Sequence, residues 1–105
     1  MIYPLSTPLL EFLILSVVSR DDSYGYEINQ KLKNVSNTKD STLYPILKRL
    51  QENGLVDTYD QQFQGRNRRY YKITPDGRGT CEYLDNEWKK YVDAINEIAY
   101  GGEEK

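Results

Sequence analysis

Asp40-Ser41-Thr42-Leu43-Tyr44-Pro45-Ile46-Leu47-Lys48-Arg49-Leu50-Gln51-Glu52-Asn53-Gly54-Leu55 is the stretch whose reading decides the fold. Its apolar residues, Leu43, Ile46, Leu47 and Leu50, recur at steps of three, one and three, which is one face of a helix of period 3.6. Ser41, Tyr44, Lys48 and Glu52 fall on roughly the opposite side, with Thr42, Pro45 and Arg49 on the flanks. Asp40, Ser41 and Thr42 carry acceptors able to cap the orphan N–H groups of a helix start. Pro45 has no N–H to give and is expected near the first turn. Asn53-Gly54 ends the helix, because glycine accepts the left-handed conformation there. The product is a short helix with one buried side and an open side of hydroxyls, a phenol and a cation. A helix that enters a DNA groove needs that composition. An ordinary surface helix can share it, so the flanking chain must decide.

Upstream, Tyr24 to Lys33 reads as a second helix with Tyr26, Ile28 and Leu32 inward and Gly25 placed for close helix contact. Asn34 to Thr38 is a polar turn, and Asp21-Asp22-Ser23 a second turn and cap. Before it, Pro8 to Arg20 is a helix capped by Ser6 or Thr7. Its apolar residues lie on nearly every side, so it should be covered from two directions, by its own core and by a second chain. Three helices, the last two joined by a tight polar turn, match a helix-turn-helix. Met1 to Thr7 forms a short arm.

Downstream, Val56 to Gln61 and Arg68 to Thr74 alternate as strands around the polar loop Gln62 to Asn67. That loop is longer than a two-residue turn, so its tip should project. Thr74 then caps a helix with Pro75 at its first position. From Cys81 the apolar residues Cys81, Leu84, Trp88, Tyr91, Ile95 and Ile98 step by 3, 4, 3, 4 and 3, a heptad seam. A domain this small offers the seam no obvious partner, and a symmetric second copy is the favoured explanation. Gly101 to Lys105 reads as a frayed polar tail.

Composition narrows the function. The chain has 105 residues, enough for one modest core, and a net charge of −2 that gives no overall pull toward nucleic acid. The distribution says more. Gln61 to Pro75 holds four bases (Arg66, Arg68, Arg69, Lys72) and no acid, whereas Asp76 to Lys105 holds eight acids against four bases. A local basic patch is thus set apart from an acidic C-terminal third. One cysteine makes no internal disulfide and fits a reducing cytosol; no signal peptide is read at the start, and Leu9 to Val18 is too short to span a bilayer. No histidine is present, which excludes histidine-dependent triads and histidine-ligated metals; no enzyme activity, cofactor or metal is expected.

These residues resemble the PadR family of bacterial transcriptional regulators. The resemblance rests on Tyr24-Gly25-Tyr26-Glu27-Ile28, on Ser41 to Leu50, on Asn53-Gly54-Leu55-Val56 and on Arg69 to Gly77. It covers about residues 5 to 80, and the single C-terminal helix is similar to the family's smaller subclass. Asp40-Ser41 departs from the small residue or glycine often found there, which bears on base preference. The resemblance implies a mainly α fold with a small β-hairpin (α+β), a winged helix-turn-helix over residues 1–75 and a dimerisation helix and tail over 76–105. It also implies a homodimer built through the first and last helices, and repression at a promoter. In some relatives an aromatic small molecule bound near the dimer interface weakens DNA binding.

The candidate sites follow. Arg66, Asn67, Arg68 and Arg69 sit at and beside the hairpin tip, Arg66 and Arg68 on one side and Arg69 on the other, where they can meet phosphates or a minor groove. Ser41, Thr42, Tyr44 and Lys48 are candidates on the third helix, unless Ser41 and Thr42 merely cap it. Thr38 and Lys39 stand at its start, where backbone N–H groups also favour phosphate. Tyr24 either touches a phosphate or packs in the core. Arg49 is expected to pair with Glu52 or Glu27, and Tyr70 and Tyr71 to pack within the hairpin. Leu9, Phe12, Leu13, Leu84, Trp88, Tyr91, Ile95 and Ile98 are expected in the dimer interface. There Trp88 either packs as core or, with Phe12, Leu9 and Tyr91, lines a slot for a flat effector. Cys81 reads as a packed thiol. The expected function is a dimeric, sequence-specific repressor on a near-palindromic operator of double-stranded DNA. The competing class is a winged-helix protein-interaction adaptor that does not bind DNA.

Overall fold

A computed structural model describes residues 3 and 5–101. The remainder of the expected arm (residues 1, 2 and 4) and of the expected tail (residues 102–105) lies outside the described residues. The elements run α1 (Thr7–Arg20), β1 (Ser23–Tyr24), α2 (Gly25–Leu32), α3 (Asp40–Glu52), β2 (Val56–Phe63), β3 (Arg66–Ile73) and α4 (Pro75–Tyr100).

The core is where the helical periodicity puts it. Leu43, Ile46, Leu47 and Leu50 of α3 meet Ile14, Leu15 and Val18 of α1, Ile28 and Leu32 of α2, and Val56, Tyr71 and Ile73 of the sheet. Each such aliphatic side chain, fully buried, contributes about 1.5–3 kcal/mol. Ser6 caps α1 by accepting from the Leu9 N–H at 3.3 Å. Thr74 caps α4 by accepting from the Gly77 N–H at 2.9 Å, and its own hydroxyl donates to the Gly54 carbonyl at 2.7 Å. Gly54 ends α3 at φ 74°, as expected of that position.

Four expectations are corrected. Tyr26 is not inward: it is 66% exposed, because α2 buries Ile28, Asn29 and Leu32, a stripe that leaves Tyr26 on the far side. Among the described residues the sheet has three strands, not two. Ser23–Tyr24 pairs antiparallel with Tyr71 and Tyr70, placing β3 between β1 and β2. The hairpin loop is two residues long, Gln64-Gly65, and both have positive φ (52° and 78°). Such a turn follows the right-handed twist of the strands, so pairing continues out to Phe63 and Arg66. Pro45 lies inside α3, at its sixth residue, leaving the Ser41 carbonyl without the usual bond from four residues on.

Candidate nucleic-acid interface

Helix α3 divides as its spacing requires. One side is buried in the core; Ser41, Thr42, Tyr44, Pro45 and Lys48 are exposed. Lys39 is the N-cap residue and offers no side-chain cap, so Ser41 and Thr42 do not serve as caps either; the Thr42 and Leu43 N–H groups bond to the Lys39 carbonyl. Both hydroxyls are left open to solvent. Asp40 opens the helix, its carboxylate held by Asn29 Nδ2 at 3.2 Å. Tyr44 lies over Gly25, and a Cβ added there would come within 2.7 Å of the Tyr44 ring carbons. The absent side chain is what lets the start of α2 approach α3.

Thr38 is removed from the exposed set. It is buried, and its hydroxyl pairs with that of Ser36 at 2.6 Å, closing the turn between α2 and α3. Lys39 beside it is exposed. Arg49 pairs neither with Glu52 nor with Glu27: its guanidinium donates twice to Glu11 of α1, at 2.9 and 3.3 Å. Helix packing decides that pairing, and local spacing carries no sign of it.

The hairpin separates its cations as strand alternation demands. Arg66 and Asn67 are exposed beside the turn. Arg69 faces Asp60 across the strands at 3.7 Å. Arg68 lies between two rings, its guanidinium carbon 3.8 Å from the Phe63 centroid and 4.2 Å from that of Tyr24. Tyr24 is half-buried and meets Tyr70 edge-on at 5.3 Å, while Tyr70 stacks on Tyr59 at 5.5 Å. Tyr71 is buried on the opposite face. Sequence reasoning missed Asn29, Phe63 and Asp60. The Ile28-Asn29-Leu32 spacing could have found the first; the other two needed the true strand register.

On α4 the seam divides in two. Cys81 and Leu84 are half-buried against the domain's own core, and the Cys81 sulfur lies 3.6 Å from the Ser16 hydroxyl. Trp88, Tyr91, Ile95 and Ile98 are exposed, Trp88 and Tyr91 with ring centroids 5.9 Å apart. On α1, Leu9, Phe12 and Leu13 are half-buried, and Phe12 borders a shallow depression of about 360 Å³ with Ser16 and Cys81. Among the described residues, no helix is long and apolar enough to cross a membrane.

This arrangement has known counterparts. The sequence profile described as the transcriptional regulator PadR-like family matches residues 14–83. A Streptococcus mutans protein of known crystal structure is 47% identical, covers 100% of this chain and 99% of its own, and superposes with a TM-score of 0.94. A PadR family transcription regulator from Clostridium difficile is 31% identical, over 86% of this chain and 97% of that one, with a TM-score of 0.79. An uncharacterised Lysinibacillus sphaericus protein is 33% identical over 92 residues, 83% of this chain and 84% of its own. With four helices and a three-stranded sheet among the described residues, and a matched profile spanning two-thirds of its length, the chain belongs to the PadR-like family of transcriptional regulators, not to an enzyme class.

Proposed function

We propose that the protein is a dimeric, sequence-specific DNA-binding repressor working in the cytoplasm, with residues 1–75 as its DNA-binding part and 76–105 as its dimerisation part. One observation carries the reading. The second helix of the helix-turn-helix buries Leu43, Ile46, Leu47 and Leu50 and leaves Ser41, Thr42, Tyr44 and Lys48 open. In helix-turn-helix docking such a helix enters the major groove and its N-terminal residues meet base edges. Lys39 and Arg66 supply cations for backbone phosphates, and Asn67 an amide beside the wing tip. Two such helices, carried by a symmetric dimer, address successive major grooves about 34 Å apart on a near-palindromic operator.

Dimerisation proceeds through the open Trp88–Ile98 side of α4 and the Leu9, Phe12 and Leu13 side of α1. Between the two copies, Trp88 and Tyr91, with Phe12 and Leu9, form a slot suited to a flat aromatic effector. Footprinting and fluorescence anisotropy on duplex from the protein's own upstream region test the proposal. Wild type is expected to protect a near-palindrome, with affinity falling steeply as salt rises. Arg66→Ala and Lys48→Ala are expected to weaken that binding. A protein that ignores every upstream duplex in dilute buffer is an adaptor, not a repressor. Saturable quenching of Trp88 fluorescence by planar aromatic compounds tests the slot.

A further inference from the structure

The distal half of the hairpin is only two strands wide. β1 covers Tyr70 and Tyr71; beyond them the pairs Asp60–Arg69, Gln61–Arg68, Gln62–Asn67 and Phe63–Arg66 have no third strand among the described residues. A lone two-stranded ribbon is marginal in water, so side chains must fix its angle. On one face the Asp60–Arg69 pair is exposed and 3.7 Å apart, an arrangement that contributes little. The other face is different. It gathers Phe63 from the end of β2, Arg68 from β3 and Tyr24 from β1. Tyr24 opens α2 and rests on Tyr70, which stacks on Tyr59, whose hydroxyl donates to Asp22 at 2.7 Å. Arg68 thus bridges the tip of the wing to the helix-turn-helix, between two ring faces that attract its cation.

We propose that Arg68 is a positioning residue: a pin that sets the angle of the wing to α2 through Phe63 and Tyr24, while Arg66 is the cation presented to phosphate. The role in binding rests on the DNA-binding reading above; the pin itself belongs to the unbound protein. Arg68→Lys keeps the charge and discards the planar group that stacks. Phe63→Leu removes a ring that carries no charge. With the wing unpinned, its ordering must be supplied at binding. Both variants are therefore expected to bind the upstream duplex about tenfold more weakly. The slope of log affinity against log salt should stay as in wild type, and the double variant should lose much less than the product of the two losses. Arg66→Ala should instead reduce that slope by about one per protomer. In the unbound protein, amide hydrogen exchange at residues 61–67 should quicken in Arg68→Lys and Phe63→Leu and remain unchanged in Arg66→Ala.

The proposal is overturned if Arg68→Lys binds as wild type while Arg68→Ala loses slope, for Arg68 is then a phosphate ligand. Unchanged exchange in both pin variants overturns it as well. If wild type binds no duplex, the DNA-binding reading fails by itself, and the exchange rates still decide whether Arg68 holds the wing.

Discussion

Two glycines with crowded surroundings show what a single side chain controls, and they predict opposite outcomes. A Cβ on Gly25 would meet the end of the Tyr44 side chain, which is partly exposed and can rotate away. Gly25→Ala should cost less than about 1 kcal/mol in urea unfolding yet weaken duplex binding, because the phenol leaves its place on α3. A Cβ on Gly77 would meet the Leu55 carbonyl and come within 2.8 Å of Ile73 Cγ1, neither of which can give. Gly77→Ala should cost about 2–3 kcal/mol, and equal losses for the two variants would contradict this account. The phenols predict a pH response. The hydrogen bond from Tyr59 to Asp22 raises the Tyr59 pKa above its ordinary 10.0, and burial raises that of Tyr71. A proton held more tightly in the folded chain adds stability that is whole below the unfolded value of about 10 and is lost as pH climbs through the folded values. Unfolding free energy should therefore fall above about pH 10, and Tyr59→Phe should shrink the fall. At this scale the sequence was partly legible. Alternation along β3 separates Arg69 from Arg66 and Arg68 without any structure. That Thr38 turns inward to Ser36, and that Arg49 reaches Glu11, depend on distant packing that no local pattern encodes.

At the scale of elements, the helices could be read because each carries both a period and punctuation. Ser6, Thr74, Pro75 and Gly54 mark boundaries that the backbone respects almost to the residue. The two-residue strand Ser23–Tyr24 could not be read, since it is too short for any alternation and exists only because β3 lies beside it. The hairpin loop looked longer than it is because glutamine is an unusual first residue for a turn with two positive φ angles. Thr74 joins three elements: it follows β3, caps α4 and bonds the loop after α3 through Gly54. Thr74→Ala breaks both hydrogen bonds and should lower stability by about 1–2 kcal/mol. Thr74→Ser keeps the oxygen and should recover most of that. Failure of serine to rescue would assign the loss to the methyl group instead.

At the scale of the whole molecule, the question is why α4 continues beyond the core that it helps to cover. Its 26 residues extend about 39 Å, and the domain uses only the first turns. Past Leu84 the heptad seam remains apolar at Trp88, Tyr91, Ile95 and Ile98, the last 87% exposed. Exposed apolar residues scattered singly need no explanation, but four on one stripe of a helix do. Lys89 pairs with Asp85 and Lys90 with Glu87 along this helix, and none of the four stripe positions carries a charge. Such a stripe is complementary to its own copy. Ile95→Asp puts a carboxylate in the middle of the proposed contact and should convert the proposed dimer into a monomer in sedimentation at micromolar concentration. Because residue 95 is exposed in the single chain, urea unfolding of the domain's own core should hardly change. Duplex binding should fall far more than any single wing substitution produces, since one reading helix replaces two. If Ile95→Asp remains dimeric, the stripe is not the contact. If wild type itself sediments as a monomer, the two-fold match to a near-palindrome loses its basis, whatever the wing and α3 can do alone.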